Sequence, residues 1–247
     1  MAGSVMKGAL ISYPPSGSLG QPSQPNVIVF QINPETMTHA WTEAAAPPPP
    51  SDTKVTVTVN PLAATGVPGE TFAFTLRLDS DLDLSDIATD PAAADAAANG
   101  VYPRLAALEL LQFPSAPPDS GLEGQVSASN NAAAQGSASA TTAPRSVPLS
   151  QVPVVLFSWG PLRTVPVRVT AFSVSEILYD DQLNPTHADA QMTLTVLTPD
   201  ALRAVKGPTA QIGATAYANM QSNRVSLAGQ APSGSPGSNI GMLPAPY

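Results

Sequence analysis

The chain has 247 residues, enough for one β-rich domain or two small ones with a sizeable core. Only 11% of the residues are charged and the formal net charge is -8, so nucleic-acid binding through phosphate neutralisation is not expected. The chain contains no cysteine, which excludes disulfides and thiolate metal sites.

The first predicted strand is KGALISY (residues 7–13), which is followed by two prolines. It is too short for the apolar part of a secretion signal, and no apolar run approaches the roughly 18 residues of a membrane helix. We therefore expect a soluble protein that is not exported through a cleavable signal. VIVFQI (residues 27–32) is apolar on both parities, which predicts a central strand covered on both faces.

A turn is predicted next at Asn33-Pro34, because the proline fixes φ, lacks an N–H and keeps Asn33 out of the helical region. Residues 37–41 are predicted to begin another strand. AAAPPPPSD (residues 44–52) is typical of a polyproline spacer. Strict alternation in KVTVTVN (residues 54–60) predicts a half-buried strand.

The sequence ETFAFTLRLD (residues 70–79) predicts a core strand, since its large apolar side chains fall on one parity. Burying four such side chains stabilises the folded state by about 6–12 kcal/mol, before the loss of conformational entropy on folding is subtracted. The four residues are Phe72, Phe74, Leu76 and Leu78.

One central helix is predicted over residues 101–113, with Pro103 in its first turn and Pro114 after its end. Its apolar stripe consists of Leu105, Leu108 and Leu111. Residues 115–150 are rich in Ser, Ala, Pro and Gly, and this composition predicts a low-complexity insertion that does not pack by itself.

Three further strands are predicted, at residues 152–160, 164–179 and 187–197. The apolar parity changes within the second of them, which indicates either a β-bulge near Ala171 or a change of the buried side. A second Asn-Pro pair, Asn184-Pro185, precedes the last strand. We interpret both Asn-Pro pairs as corners between strands, with the Asn33 and Asn184 side chains capping their own turns.

The C-terminal part is predicted to contain a short helix from Thr198 to Arg203 and a longer helix after Pro208. Ile212, Ala216 and Met220 are spaced four apart, a thin apolar stripe typical of a helix that lies on another surface. From Gly229 onward the composition predicts an extended tail.

The two histidines, His39 and His187, both follow an Asn-Pro turn. A Ser-His-Asp site is not expected, because no G-x-S-x-G motif is present. Zinc binding would require a third recognisable protein ligand for either histidine. We therefore interpret both as polar positions at strand edges.

Acidic residues form two other candidate sites. Asp79, Asp81 and Asp83 have calcium-loop spacing and Asp90 falls at the twelfth place, but Leu84 occupies the position that needs glycine. An acidic strand-to-helix connection is therefore favoured. Glycosidic hydrolysis uses a pair of carboxylates, and four acidic residues near turns could supply one. We do not expect this activity, since acidic residues are common beside turns. The four residues are Glu35, Glu176, Asp180 and Asp181.

No phosphate-binding glycine loop is predicted either, because residues 66–69 are followed by a strand rather than a helix. The sequence thus predicts a protein that is not an enzyme, with no catalytic, cofactor-binding or metal-binding residue and no cofactor. Alternating strands with low-charge loops favour a protein that acts through its surfaces and strand edges.

Five segments occur in a fixed order: VIVFQINPETMTHAW, ETFAFTLRLD, YPRLAALELLQFP, VPVVLFSWG and PVRVTAFSVSEILYDDQLNPTHADAQMTLTVL. In order and approximate spacing, over roughly residues 5–198, they resemble the tube-protein N-terminal domain of contractile injection systems and phage-tail-like particles. The resemblance implies a mainly β fold, a β-barrel or sandwich related to tail-tube modules, with one central helix. Residues 1–198 would form this domain, with the insertion at 115–150, and residues 199–247 a C-terminal helix and extended tail.

The resemblance also implies a structural baseplate component, assembled in the bacterial cytoplasm as part of a phage-tail-like particle. It would link the inner tube or tube initiator and the spike hub to the baseplate wedges, in a six-fold ring of its own copies. No nucleic acid or membrane insertion is implied. Relatives often carry a C-terminal LysM module, which is not recognisable here, so a peptidoglycan contact is not carried over.

Two alternatives stay open. One is a tube-initiator or tube-end adaptor of the same apparatus. The other is a secreted carbohydrate- or surface-binding β-sandwich, suggested by the acidic pI and the Ser/Thr/Pro-rich linkers. The missing signal peptide and the few aromatic residues count against the second alternative.

Overall fold

The computed structural model describes residues 6–13, 25–44, 62–84, 97–114, 152–205 and 208–231. The predicted strand at residues 54–60, the insertion at 115–150 and the tail beyond residue 231 lie outside these ranges. So does nearly all of the proline-rich spacer.

The fold is mainly β, as predicted, with a few helices and a C-terminal helix. Its strands form one seven-stranded antiparallel sheet in the order β2-β1-β5-β6-β7-β4-β3. The strands are β1 (Ala9–Tyr13), β2 (Asn26–Val29), β3 (Met37–Thr42), β4 (Gly69–Asp79), β5 (Val154–Ser158), β6 (Thr164–Tyr179) and β7 (Pro185–Val196). The helices are α1 (Ser80–Leu84), α2 (Tyr102–Glu109), α3 (Pro199–Ala204) and α4 (Pro208–Ala228).

Strands β4, β6 and β7 form the centre of the sheet, and their alternation sets its faces. In β4 the predicted parity is confirmed: Phe72, Phe74, Leu76 and Leu78 are all buried. The parity change in β6 is explained by a β-bulge, since the β6–β7 register shifts between Val169 and Ala171.

The sheet curls so that its two halves face each other. The Phe157 ring of β5 lies 5.3 Å from the Phe72 ring and 5.5 Å from the Phe74 ring of β4, measured between centroids. In the sheet, β6 and β7 lie between these two strands. Flat strands spaced about 4.8 Å apart would keep the rings much farther from each other. The enclosed aromatic cluster is the centre of the core.

The edge strands β2 and β3 are joined by only residues 30–36, although they lie at opposite edges of the sheet. Phe30 enters the core, with its ring 5.7 Å from that of Phe74. The Gln31 side chain then bonds to the backbone of Asp79 at the end of β4, where its Oε1 accepts from the Asp79 N–H at 2.8 Å. These contacts tie the segment after β2 to β4, the strand next to the opposite edge.

The prediction of a central strand at residues 27–32 is wrong. The strand β2 ends at Val29 and forms an edge of the sheet, with Val27 52% and Val29 47% exposed. An apolar run on both parities cannot distinguish a covered strand from an edge strand that keeps only one face buried. Here Ile28 and Phe30 face the core, while the two valines lie on the outside.

The predicted central helix is confirmed as α2, with a shorter range than expected. It has proline in its first turn, and its regular part ends at Glu109. The three leucines of the predicted stripe, Leu105, Leu108 and Leu111, are buried. Leu108 lines a small cavity with Ile28 of β2 and Leu78 of β4, so α2 packs at that end of the core.

The C-terminal helices are confirmed. In α3 the Thr198 side chain accepts from the Ala201 N–H, an N-cap that starts the helix. The longer helix α4 packs against β5, β6 and α3. Its buried face includes Met220, as predicted, together with Gly213 and Tyr217. The other two residues of the predicted stripe, Ile212 and Ala216, are half-buried, one position before Gly213 and Tyr217.

Candidate functional site

The first Asn-Pro corner ties the β2–β3 connection to the start of β1. The Asn33 Oδ1 accepts from the Gly8 N–H at 2.9 Å, and its Nδ2 donates to the Met6 carbonyl, also at 2.9 Å. The expectation that Asn33 caps its own turn is therefore corrected, because both partners lie on another segment. Its role is to hold two segments together.

The second corner is a hairpin turn between β6 and β7, as predicted, but Asp180 caps it. Its Oδ1 accepts from the N–H groups of Gln182 at 2.8 Å and of Asn184 at 2.7 Å. The Asn184 Nδ2 donates to the Asp180 Oδ2 at 2.9 Å and to the Ala98 carbonyl at 3.3 Å. Asn184 thus braces the cap and connects the hairpin to the segment before α2.

These hydrogen bonds lower the pKa of Asp180 below its ordinary value of 3.8. The largest contribution is the hydrogen bond from the Asn184 side chain. Partial desolvation opposes it, and the two backbone N–H groups add to it. The ionised form of Asp180 is the one that holds the turn.

The carboxylates considered for paired chemistry occupy different places. Glu35 lies in the first corner, in a depression also lined by Arg77 and Asp189. Glu176 lies on β6 and accepts a hydrogen bond from the Tyr179 hydroxyl at 3.3 Å, while Asp180 is used as the turn cap. Asp181 is exposed in the same turn as Asp180, so Glu35 and Glu176 lie in separate settings and only the two adjacent aspartates share one.

His39 belongs to a packed cluster at one end of the sheet. Its Nε2 lies 2.6 Å from the Glu70 Oε1, and the same oxygen lies 2.8 Å from an Arg224 nitrogen on α4. The imidazole stacks between Trp41 and Phe72, with centroid distances of 3.9 and 4.1 Å. Glu70 is only 4% exposed. This arrangement connects α4 to the sheet through Glu70 and holds the His39 ring against its neighbours.

His187 lies in a second cluster, which sequence reasoning did not assemble. Asp79 of β4 pairs directly with His187 of β7 in the sheet register. Together with Asp81 of α1, these side chains offer three ligand atoms that all lie within 4.8 Å of one another. The helix α1 begins at Ser80, directly after β4, and was not predicted. Residues 85–96 of the predicted acidic connection, with Asp90 among them, lie outside the described residues.

Apart from Trp41 of β3, two groups of exposed apolar side chains lie on the described part of the sheet. The outer face of β2 presents Val27 and Val29. The far end of the β6–β7 hairpin presents a larger group, in which Leu183 is 75% exposed. That group consists of Ile177, Leu178, Tyr179 and Leu183. Apolar patches of this kind mark surfaces that contact other molecules.

A groove of about 860 Å³ runs between α4 and the β5–β6 region. Its lining residues are all uncharged, and they include Leu156, Pro161, Gln211 and Asn223. The groove lining has no titratable side chain, and its hydroxyl groups are those of Thr164, Thr215 and Ser222.

No protein-family model matches the chain, and a search of curated proteins found no significant match. The resemblance to contractile injection system proteins therefore stays a prediction. Among the described residues, no helix is long and apolar enough to cross a membrane.

Proposed function

We propose that the protein is a structural baseplate component of a contractile injection system or contractile phage-like tail. In this role it links the inner tube or its initiator and the spike hub to the baseplate wedges, in a six-fold ring of its own copies. The sheet is proposed to be a β-barrel related to tail-tube modules. The ordered series of five sequence segments is the basis of this assignment.

The structural observation that carries the proposal is the edge strand β2. In the described part of the chain, β2 pairs with β1 on one side, and no strand pairs with its other side. Its outward Val27 and Val29 add exposed apolar surface beside this edge. Such an edge is a template for pairing with another chain. A protein that assembles with other subunits can pair such a strand edge with a neighbouring chain.

The exposed hairpin end supplies a second surface, at a different part of the sheet. Hydrogen bonds of Asp180 and Asn184 make its turn rigid. A rigid apolar projection can dock on a neighbour with little ordering cost. Two separate contact surfaces are what a link between two parts of a particle requires.

Gene deletion and complementation in a strain that produces the particles tests the proposal. We expect the deletion to abolish full-length sheathed particles and the wild-type gene to restore them. The Val27→Lys/Val29→Lys variant should fold but fail to restore them, because it places charges on the β2 surface. Val225→Lys on α4 is the matched control, since Val225 is 73% exposed and lies away from β2. Intact particles that contract normally in the deletion strain would refute the proposal.

The second candidate, a carbohydrate- or surface-binding β-sandwich, is favoured by one residue. Trp41 is 55% exposed at an edge of the sheet, and exposed aromatic rings provide apolar faces for stacking. One side of this ring is already used by His39. Specific glycan binding by the isolated chain, lost in Trp41→Ala, would favour this candidate over the baseplate role.

A further inference from the structure

We propose that Asp79, Asp81 and His187 bind one divalent transition-metal ion, and that zinc suits this ligand set best. Two carboxylates and one imidazole supply the oxygen and nitrogen ligands that zinc accepts in proteins. The three ligand atoms lie within 4.8 Å of one another. The proposal is independent of the baseplate role.

The fold places these residues together by two separate constraints. Antiparallel pairing of β4 with β7 sets Asp79 directly opposite His187. The chain then turns into α1, where the Asp81 N–H donates to the Asp79 Oδ1 at 2.9 Å. That bond brings the second carboxylate to the same end of the two strands. The cluster therefore rests on the sheet, which can hold ligands with little ordering cost.

The distance between His187 and Asp79 fits a shared ion better than a direct hydrogen bond. The Nε2 and the Oδ1 are 3.4 Å apart, whereas a charge-assisted hydrogen bond is about 2.7–2.9 Å long. Two tetrahedral ligands with bonds of about 2.0–2.1 Å to zinc lie roughly 3.3–3.4 Å apart. The observed separation matches this ligand–ligand spacing.

The contacts around His187 hold its ring toward Asp79. The Thr186 hydroxyl oxygen lies 3.0 Å from the His187 Nδ1 and 3.4 Å from the Leu178 carbonyl oxygen. Because this hydroxyl contacts Nδ1, the Nε2 is the ring nitrogen that faces the Asp79 carboxylate. Histidines that bind metals are oriented in the same way by a hydrogen bond at their other ring nitrogen.

His39, the other histidine, contacts its carboxylate partner at a shorter distance than His187 does. The His39 Nε2 is 2.6 Å from Glu70, a direct hydrogen-bond distance, and Arg224 contacts the same oxygen. That cluster has no space for an ion and already contains its cation. His39 is therefore a matched control for His187, and the chain has only these two histidines and no cysteine. Zinc bound by histidine can thus be assigned to one site.

Competition with a chromophoric zinc chelator, using the full chain without a histidine tag, tests the proposal. We expect one zinc per chain, with affinity reduced about 100-fold or more in Asp81→Asn and in His187→Gln. Thr186→Val should reduce it about tenfold, because it removes the bond that orients the ligand. His39→Gln and Asp189→Asn should bind as the wild type does, with circular dichroism confirming that every variant is folded.

A second readout identifies the atom that binds. Long-range ¹H–¹⁵N spectra of the two histidines should show zinc shifting the His187 Nε2 signal and leaving His39 unchanged. If His187 carries protons on both nitrogens and no zinc binds below millimolar concentration, the occupant is a proton and the proposal is wrong. Equal zinc binding by the wild type, Asp81→Asn and His187→Gln would also overturn it.

Discussion

Gln31 bonds to both backbone groups of Asp79, so a side-chain amide takes the place of a paired strand residue. Its Oε1 accepts from the Asp79 N–H at 2.8 Å, and its Nε2 donates to the Asp79 carbonyl. Gln31 follows the edge strand β2, whereas Asp79 ends β4, the strand next to the opposite edge. This pair of bonds closes the curled sheet at that point.

Gln31→Met should destabilise the fold by about 2 kcal/mol. It keeps the length of the side chain but removes both bonds to Asp79, and each lost bond to a partly buried backbone group costs about 1 kcal/mol. Urea unfolding measures the loss. Gln191→Met on the exposed face of β7 is the matched control and should change stability by less than about 0.5 kcal/mol. Equal effects of the two substitutions would show that Gln31 does not close the sheet.

Gly100→Ala should be more damaging than Gly66→Ala, although both glycines have positive φ, 57° and 84°. The shared backbone strain costs roughly 1–2 kcal/mol at each position. At Gly100 a Cβ would also collide with the Pro185 carbonyl oxygen, which accepts from the Val101 N–H. At Gly66 the nearest atom would be an Asp200 oxygen at 3.8 Å, an ordinary contact.

The difference between these two variants therefore isolates the close packing of the segment before α2 against the second Asn-Pro corner. We expect a difference of about 1–3 kcal/mol in the free energy of unfolding, in the range of overpacking effects. Thermal and urea unfolding of both variants measure it. Equal losses of unfolding free energy in the two variants would mean that the segment before α2 moves to accommodate the added Cβ without a cost in stability.

Arg224 should contribute to the docking of α4 through Glu70. Glu70 is 4% exposed, and removing a partner from a buried carboxylate is costly. The Arg224 side chain is 41% exposed, so solvent screening limits the expected loss in Arg224→Met to about 1–2 kcal/mol. Arg203→Met is the control, because its side chain is 78% exposed on α3.

A double-mutant cycle with Glu70→Gln separates this interaction from other effects of the substitutions. We expect a coupling energy of about 1 kcal/mol and faster hydrogen exchange along α4 in Arg224→Met. A coupling energy near zero would assign the docking of α4 to its apolar contacts alone.

Acid should weaken the β6–β7 hairpin through Asp180. The pKa of this carboxyl is lower in the folded chain than its ordinary value of 3.8. Its contribution is therefore fully present above that value and is lost as pH falls through the lowered pKa. A ¹³C NMR titration of the Asp180 carboxyl measures the midpoint.

Asn184→Ala tests the cause of this shift, because it removes the side-chain hydrogen bond that lowers the Asp180 pKa most. The midpoint should move up, toward 3.8, in this variant. The same midpoint in both proteins would mean that the backbone N–H groups account for the shift.

The sequence predicted the elements whose signal is local. Alternation identified the buried face of β4, the leucine spacing identified α2, and the change of parity identified the bulge near Ala171. Thr198 marked the start of α3. Each of these signals depends on neighbours within a few residues, where periodicity and capping act.

The parts that were missed depend on contacts between distant segments. The edge position of β2 follows from the strand order, which its apolar composition does not encode. Gln31 was not recognised because its partner Asp79 lies on another strand. The cluster with His187 exists only because of the β4–β7 register. Neither Asp79 nor His187 has a neighbour in sequence that signals the other.

Electron microscopy of particles that carry a label fused after Tyr247 locates the protein within the particle. The baseplate role predicts label at one end of each sheathed particle, the baseplate end, and no full-length particles when the gene is deleted. Label along the whole sheath or at the opposite tip would contradict the proposed position. Normal unlabelled particles in the deletion strain would contradict the structural role itself.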